Sequence, residues 1–197
     1  FGSDVFRCYL MFSFAYSEGG AWSDEGVKAI ARFFNRIWRL QEQLKPLLTS
    51  VSAACTLQTD ADKKLHRIRH QSLKGVTQDT EKFQFNTPIA RLMELLNGVY
   101  SYLQNISQQD YNLSLLKDVN LDFIKMLAPF APHICEEYWQ GMEQEGSVFN
   151  TSWSVFDPEA LAEETVEMVV QINGKVREKI RVSKELSEEI VKETALQ

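Results

Sequence analysis

The sequence predicts a mainly α protein: an antiparallel helix bundle followed by the truncated start of a small α/β domain that opens with a β-hairpin. Three observations carry this. Apolar residues recur at helical period from Val5 to Trp139, and short polar connections separate the periodic stretches. From Val166 the period changes from 3.6 to two, around the turn signal Asn173-Gly174.

Each element follows from local chemistry. Ser3 and Asp4 can cap a first helix to about Phe12, with Val5, Cys8, Tyr9 and Phe12 on one face. "SEGGAW" breaks it. Ser23 is a good N-cap for the second helix, with Asp24 and Glu25 placed for the dipole and Trp22 and Val27 spaced as a hydrophobic staple. Ile30, Phe33, Phe34, Ile37, Leu40 and Leu44 keep one side apolar until Pro46 marks an approximate end, and the aromatics Phe33, Phe34 and Trp38 read as core. A third helix starts at Asp60 or Asp62 and runs through Leu65, Ile68, Ser72 and Val76 towards Glu81. Pro88, at or near a first turn, opens a fourth helix to about Gln104. A fifth spans about Leu113 to Ala128 and is ended by "LAPFAPH"; Pro132 opens a sixth, to Met142. The tail "VEMVVQINGKVREKIRV" then reads as two strands, with a last helix beginning near Ser187.

The hairpin register can be argued from the apolar pattern. A two-residue connection at Asn173-Gly174 would group Val166, Met168 and Val170 with four cations. A three-residue loop with Gly174 bulged pairs Gln171 with Lys175 and groups those apolar residues with Val176, Ile180 and Val182, placing Glu167 opposite Lys179. The bulged loop is the expected form.

Composition bounds function. The 197 residues are 44% hydrophobic and carry net charge −6, enough for a substantial core and ordinary for a globular protein. No apolar run approaches the ~20 residues of a membrane span, and no signal-peptide pattern is present, so the cytoplasm is the expected compartment. Cys8, Cys55 and Cys135 lack metal or redox spacing and read as reduced thiols. The chain begins with Phe1 and stops within a helical pattern, which reads as a piece of something larger.

Three basic groups stand out against the acidic balance. Lys28, Arg32, Arg36 and Arg39 fall within about 80° of arc opposite the apolar side of the second helix. "KKLHRIRH" spans Lys63 to His70, and Lys175, Arg177, Lys179 and Arg181 occupy every second position of a strand. Each is either a solvated face or a polyanion surface. His66 and His70, at i and i+4, lack an evident third metal ligand. His133 at a helix start reads as structural or as a cap. No Ser/His/Asp, Cys/His or phosphate-loop spacing appears, so no catalytic or metal residue is assigned.

Four segments together resemble one family. "FGSDVFRCYLMF" with "WSDEGVKAIARFFNRIWRL" looks like the region that follows the catalytic domain of class I aminoacyl-tRNA synthetases for branched apolar amino acids. "FNTPIARLMELLN" and "LAPFAPHICEEYW" resemble the helical anticodon-binding domain of that group, and "VVQINGKVREKI" resembles the start of the C-terminal domain of the bacterial leucyl type. The resemblance covers nearly the whole chain. It implies a junction at 1–22, a helical anticodon-binding-type domain at 23–147, a linker at 148–164, and the incomplete start of a tRNA-binding domain at 165–197. It further implies a parent ligase that joins leucine to tRNA(Leu) with ATP and Mg, whose ATP-handling and editing parts lie upstream. The piece itself is then expected to be inactive, without a cofactor, and to hold tRNA through Lys175, Arg177, Lys179, Arg181, Lys28, Arg32, Arg36 and Arg39. Its partners would be tRNA(Leu) and the upstream catalytic and editing domains, with no membrane. The rival readings are the same region of a valyl or isoleucyl enzyme, and a helical protein-interaction module without RNA. The valyl enzyme usually ends in a coiled coil and the isoleucyl enzyme often in a cysteine-ligated zinc site; neither pattern is present.

Overall fold

The computed structural model describes residues 1–14, 18–51, 54–161, and the backbone of 165–172 and 175–183. Among these residues there are six α-helices: α1 (Ser3–Ser13), α2 (Asp24–Leu48), α3 (Asp60–Glu81), α4 (Asn86–Asn105), α5 (Leu113–Leu127) and α6 (Pro132–Gly141). The chain divides into two units, Phe1–Ala160 and Leu161–Gln197. In the first, α3 packs along α4, α1 lies against α2, α4 and α6, and α5 touches α2, α3, α4 and α6. One core results, with Ile30, Ile37, Leu44, Leu92, Leu96, Leu116 and Ile124 each at most 1% exposed.

Local signals start and stop these helices. Ser23 caps α2 by accepting from Gly26 N–H, and Asn112 caps α5 by accepting from Leu115 N–H. α3 begins with a full capping box, Thr59 to Asp62. The helix starts at Asp60, one of the two expected positions, with Thr59 as its cap. α2 continues to Leu48, past Pro46, because proline removes only one donor in a turn that is already ending; Thr49 N–H closes that turn on Lys45 O at 3.2 Å.

Two polar devices fix the packing. Gln41 of α2 and Asn120 of α5 exchange reciprocal amide hydrogen bonds of 2.6 and 3.2 Å in the core. A buried amide pair satisfies itself only in one register, so it locks α2 against α5. On α3, a Cβ added at Gly75 would lie 2.2 Å from Arg91 Nε; the missing side chain lets Arg91 cross from α4 and reach Asp79 at 3.0 Å.

Three expectations need correction. Trp38 is 50% exposed and lies over Tyr138 at the surface, because it sits one residue past the inward-facing Ile37. Trp22 is 55% exposed and stands edge-on to Tyr9 at 4.9 Å, with its indole N–H donated to Asp24 at 2.7 Å. Asp4 does not cap its own helix. It is buried, its Oδ2 accepts from Ile134 N–H at 2.8 Å, and its Oδ1 meets His133 Nδ1 at 2.7 Å. The α6 N-terminus is thus capped by a carboxylate from α1, which suits the helix dipole and joins the ends of the bundle.

In the second unit, β1 (Thr165–Ile172) pairs antiparallel with β2 (Lys175–Ser183). Ile172 pairs with Lys175, so the expected pairing of Gln171 with Lys175 is not the one found. The register shifts between Val170 and Gln171, which pair with Glu178 and Val176. A bulge lies within the ladder, and Glu167 consequently pairs with Arg181, not Lys179. Beyond it, Val166 pairs with Val182 and Met168 with Ile180, the apolar partners that the pattern requires. Asn173, Gly174 and the helix expected from Ser187 lie outside the described residues.

Candidate nucleic-acid interface

The basic stripe on α2 is not uniform. Val27, Ile30, Phe33, Phe34 and Ile37 turn into the core, which forces Lys28, Arg32 and Arg39 outwards, and all three are exposed. Lys28 pairs with Glu25 at 2.7 Å on the same helix, where solvent leaves such a pair little energy. Arg36 departs from the expected exposure. It is half-buried, donates to Asn97 Oδ1 at 2.7 Å and lies 5.1 Å from the Tyr100 ring centroid, while Tyr100 OH donates to Arg36 O at 2.8 Å. Arg36 therefore ties α2 to α4, and a polyanion would meet chiefly Arg32 and Arg39 there. Arg32→Ala is expected to change stability by less than about 0.5 kcal/mol, as measured by denaturant unfolding; a larger loss would show a structural pair at Arg32.

The second basic group is partly consumed by folding. Arg69 Nε donates to Asp122 at 2.6 Å and Arg69 Nη1 to Asp118 at 3.4 Å, so this guanidinium is bound to α5. His70 is buried and its Nε2 lies 3.1 Å from His66 Nε2. Its Nδ1 accepts from Asp157 N–H at 2.9 Å, which requires an unprotonated nitrogen. Burial, with His66 and Arg69 beside it, pushes His70 down to about 4, and burial likewise lowers His66. The pair is thus neutral at pH 7, and no cluster of three or more metal-ligating residues occurs among the described residues. The third group, Lys175, Arg177, Lys179 and Arg181, falls on β2, where Arg177 is the unpaired residue of the register shift, with Lys175 on one side of it and Lys179 and Arg181 on the other.

The cysteines are chemically quiet. Burial pushes the Cys8 thiol up to about 12 and raises Cys135 well above its ordinary value; neither is a thiolate near neutrality. No described helix is long and apolar enough to cross a membrane.

Sequence reasoning overlooked Asp62. It is 2% exposed, and its carboxylate accepts from the Gln58 and Thr59 N–H groups at 3.1 Å each and from Tyr102 OH at 2.7 Å. Burial alone would raise its pKa, but the bonds from Tyr102, Gln58 and Thr59 outweigh it and leave the group below the usual carboxylate value. The T-x-x-D capping box was the available signal.

Comparison with known proteins places this bundle. The family model for the anticodon-binding domain of tRNA ligase matches residues 62–192, and the chain belongs to that family. Among curated relatives, the leucine–tRNA ligase of Clostridium kluyveri is 48% identical over 196 residues, which is 100% of this chain and 24% of the relative. That of Caldanaerobacter subterraneus subsp. tengcongensis is 47% identical over the same share. Among solved structures, the agnB2 LeuRS of Agrobacterium radiobacter K84, in a ternary complex with tRNA and LeuAMS, superposes with a TM-score of 0.82. Its identity is 31%, over 100% of this chain and 25% of that one. The chain therefore spans about a quarter of the length of these relatives.

Proposed function

We propose that this chain is the tRNA-holding region of a leucine–tRNA ligase, which joins leucine to tRNA(Leu) at the expense of ATP. The observation that carries the reading is the 48% identity to such a ligase across the full chain. In this reading residues 1–22 form the junction with a catalytic domain, 23–147 the helical domain, 148–164 a linker, and 165–197 the start of a small α/β tRNA-binding domain. ATP, Mg and leucine are handled by parts of the parent outside this chain, in the cytoplasm. The helical unit binds and orients tRNA, so that its contribution to rate is positional.

Lys175, Arg177, Lys179 and Arg181 span ~20 Å of strand at ~3.3 Å per residue, enough to follow several phosphates. Arg32 and Arg39 add exposed charge on α2, Lys28 adds a cation already balanced by Glu25, and Arg36 contributes what remains accessible beside Tyr100. The test is a binding panel with the full-length parent and tRNAs that accept leucine, valine and isoleucine. Tight, salt-sensitive binding of the leucine acceptor is the expected result. Equal, salt-insensitive behaviour towards all three would overturn the reading.

A further inference from the structure

The segment after α6 was expected to be a linker, and it has no helical or strand hydrogen bonding from Ser152 to Phe156. It is nevertheless held at successive positions. Lys125 Nζ donates to Ser152 O at 3.3 Å, Trp153 Nε1 to Thr77 Oγ1 at 2.8 Å, and Ser154 Oγ to Asp122 Oδ1 at 2.5 Å. Phe156 packs on the core with Lys74 Nζ 5.8 Å from its ring, and Asp157 N–H donates to His70 Nδ1.

These contacts have an order. As the segment advances from Trp153 to Asp157, its partners on α3 retreat from Thr77 through Lys74 to His70. Seven helical steps cover ~10.5 Å at 1.5 Å each, and four extended steps cover ~13 Å, so the two runs match in length. The segment therefore lies antiparallel along α3, with α5 supplying Asp122 and Lys125 from the side. Ser154 and Phe156 are half-buried, whereas Val155 between them is 83% exposed, the alternation of an extended chain laid on a surface. Asp122 is itself held by Arg69 through Oδ2, which leaves its Oδ1 to accept from Ser154. His70 serves equally well: being neutral, it offers a lone pair to the Asp157 amide.

We propose that His70, Thr77 and Asp122 are positioning residues that clamp Ser152–Asp157 as a strap along α3, so that the chain leaves the helical unit at a fixed point and the RNA-contacting strands beyond it act at a high effective concentration. This rests on the tRNA-holding reading above. A free tether of the same length would allow many exit directions, and the second contact with RNA would then bear an entropic cost that the strap removes in advance.

The test uses the full-length parent enzyme and substitutions on the strap, which leave the helices intact: the double variant Trp153→Phe/Ser154→Ala, with Ser154→Thr as the conservative control. The expected result is an Asp157 amide protected from hydrogen exchange in the wild type and released in the double variant. With it, KM for tRNA(Leu) should rise about five- to tenfold while kcat and leucine-dependent pyrophosphate exchange stay unchanged. Ser154→Thr keeps the hydroxyl and should behave as wild type. The clamp is overturned if the wild-type amide exchanges as fast as free chain, if protection survives the double variant, or if protection is lost without any change in KM. Failure of the wild-type parent to bind tRNA(Leu) would instead overturn the functional reading on which the positioning role rests, while the amide protection would still report whether the strap exists.

Discussion

Phe33→Ala is expected to lower stability by roughly 3–5 kcal/mol, against a negligible change for its neighbour Arg32→Ala. Phe33 is 4% exposed and meets Phe34 edge-on at 5.9 Å between ring centroids, on the α2 face that supports the bundle. Truncation to Ala removes the transfer energy of the ring and leaves a void that helices joined by the Gln41–Asn120 pair cannot readily close. Urea unfolding of the two variants side by side measures this. A loss at Phe33 below about 1 kcal/mol would mean that α2 repacks freely, contrary to the single register inferred here.

Asp62→Ala should cost about as much, ~3–5 kcal/mol, by a different mechanism. The carboxylate satisfies two backbone donors at the start of α3 and the Tyr102 hydroxyl, whose pKa burial and the facing Asp62 push up to about 12. Removing it orphans those donors and takes away half of the capping box. The effect depends on pH with a definite sign. Because the folded-state pKa is lowered, the stability that Asp62 contributes is fully present above its ordinary value of 3.8 and is lost as pH falls through the lower folded value. The difference between wild type and Asp62→Ala should therefore be constant near pH 7 and shrink below about pH 4. A difference that grew on acidification would contradict the assignment.

The helices were legible because their information is local: one apolar stripe per element, with Ser23, Pro88 and Pro132 marking starts. What escaped was non-local. Asp4 follows Ser3 at a helix start and so looks like a local cap, but its partners are 129 and 130 residues away. Arg36 belongs to the stripe by phase, and only the approach of α4 brings Asn97 and Tyr100 to it. Trp38 reads as core when grouped with Phe33 and Phe34 at helical spacing, but its phase, one residue beyond Ile37, carries it to the surface. In the β1–β2 ladder, the preference of Asn-Gly for a short connection and the apolar grouping looked incompatible. A bulge inside the ladder keeps Val182 and Ile180 opposite Val166 and Met168 but pairs Val176 with Gln171, against the expected grouping, and the sequence has no separate mark for it. The strap is the extreme case. Two half-buried residues around an exposed one are too short a pattern to distinguish a bound extended segment from a free loop, and its partners lie on helices far away in the chain.

The claim at the centre of this account is that the chain holds tRNA through its cations, most of all through β2. The most direct measurement is the salt dependence of tRNA(Leu) binding by the full-length parent, wild type against Arg177→Gln/Lys179→Gln. Each lost phosphate contact should flatten the slope of log affinity against log salt by up to about 0.9 on duplex RNA or about 0.7 on single strands. Weaker binding, a shallower slope and unchanged leucine activation are the expected results. Binding and slope both equal to wild type would contradict it and leave these residues as charges that keep an exposed strand soluble.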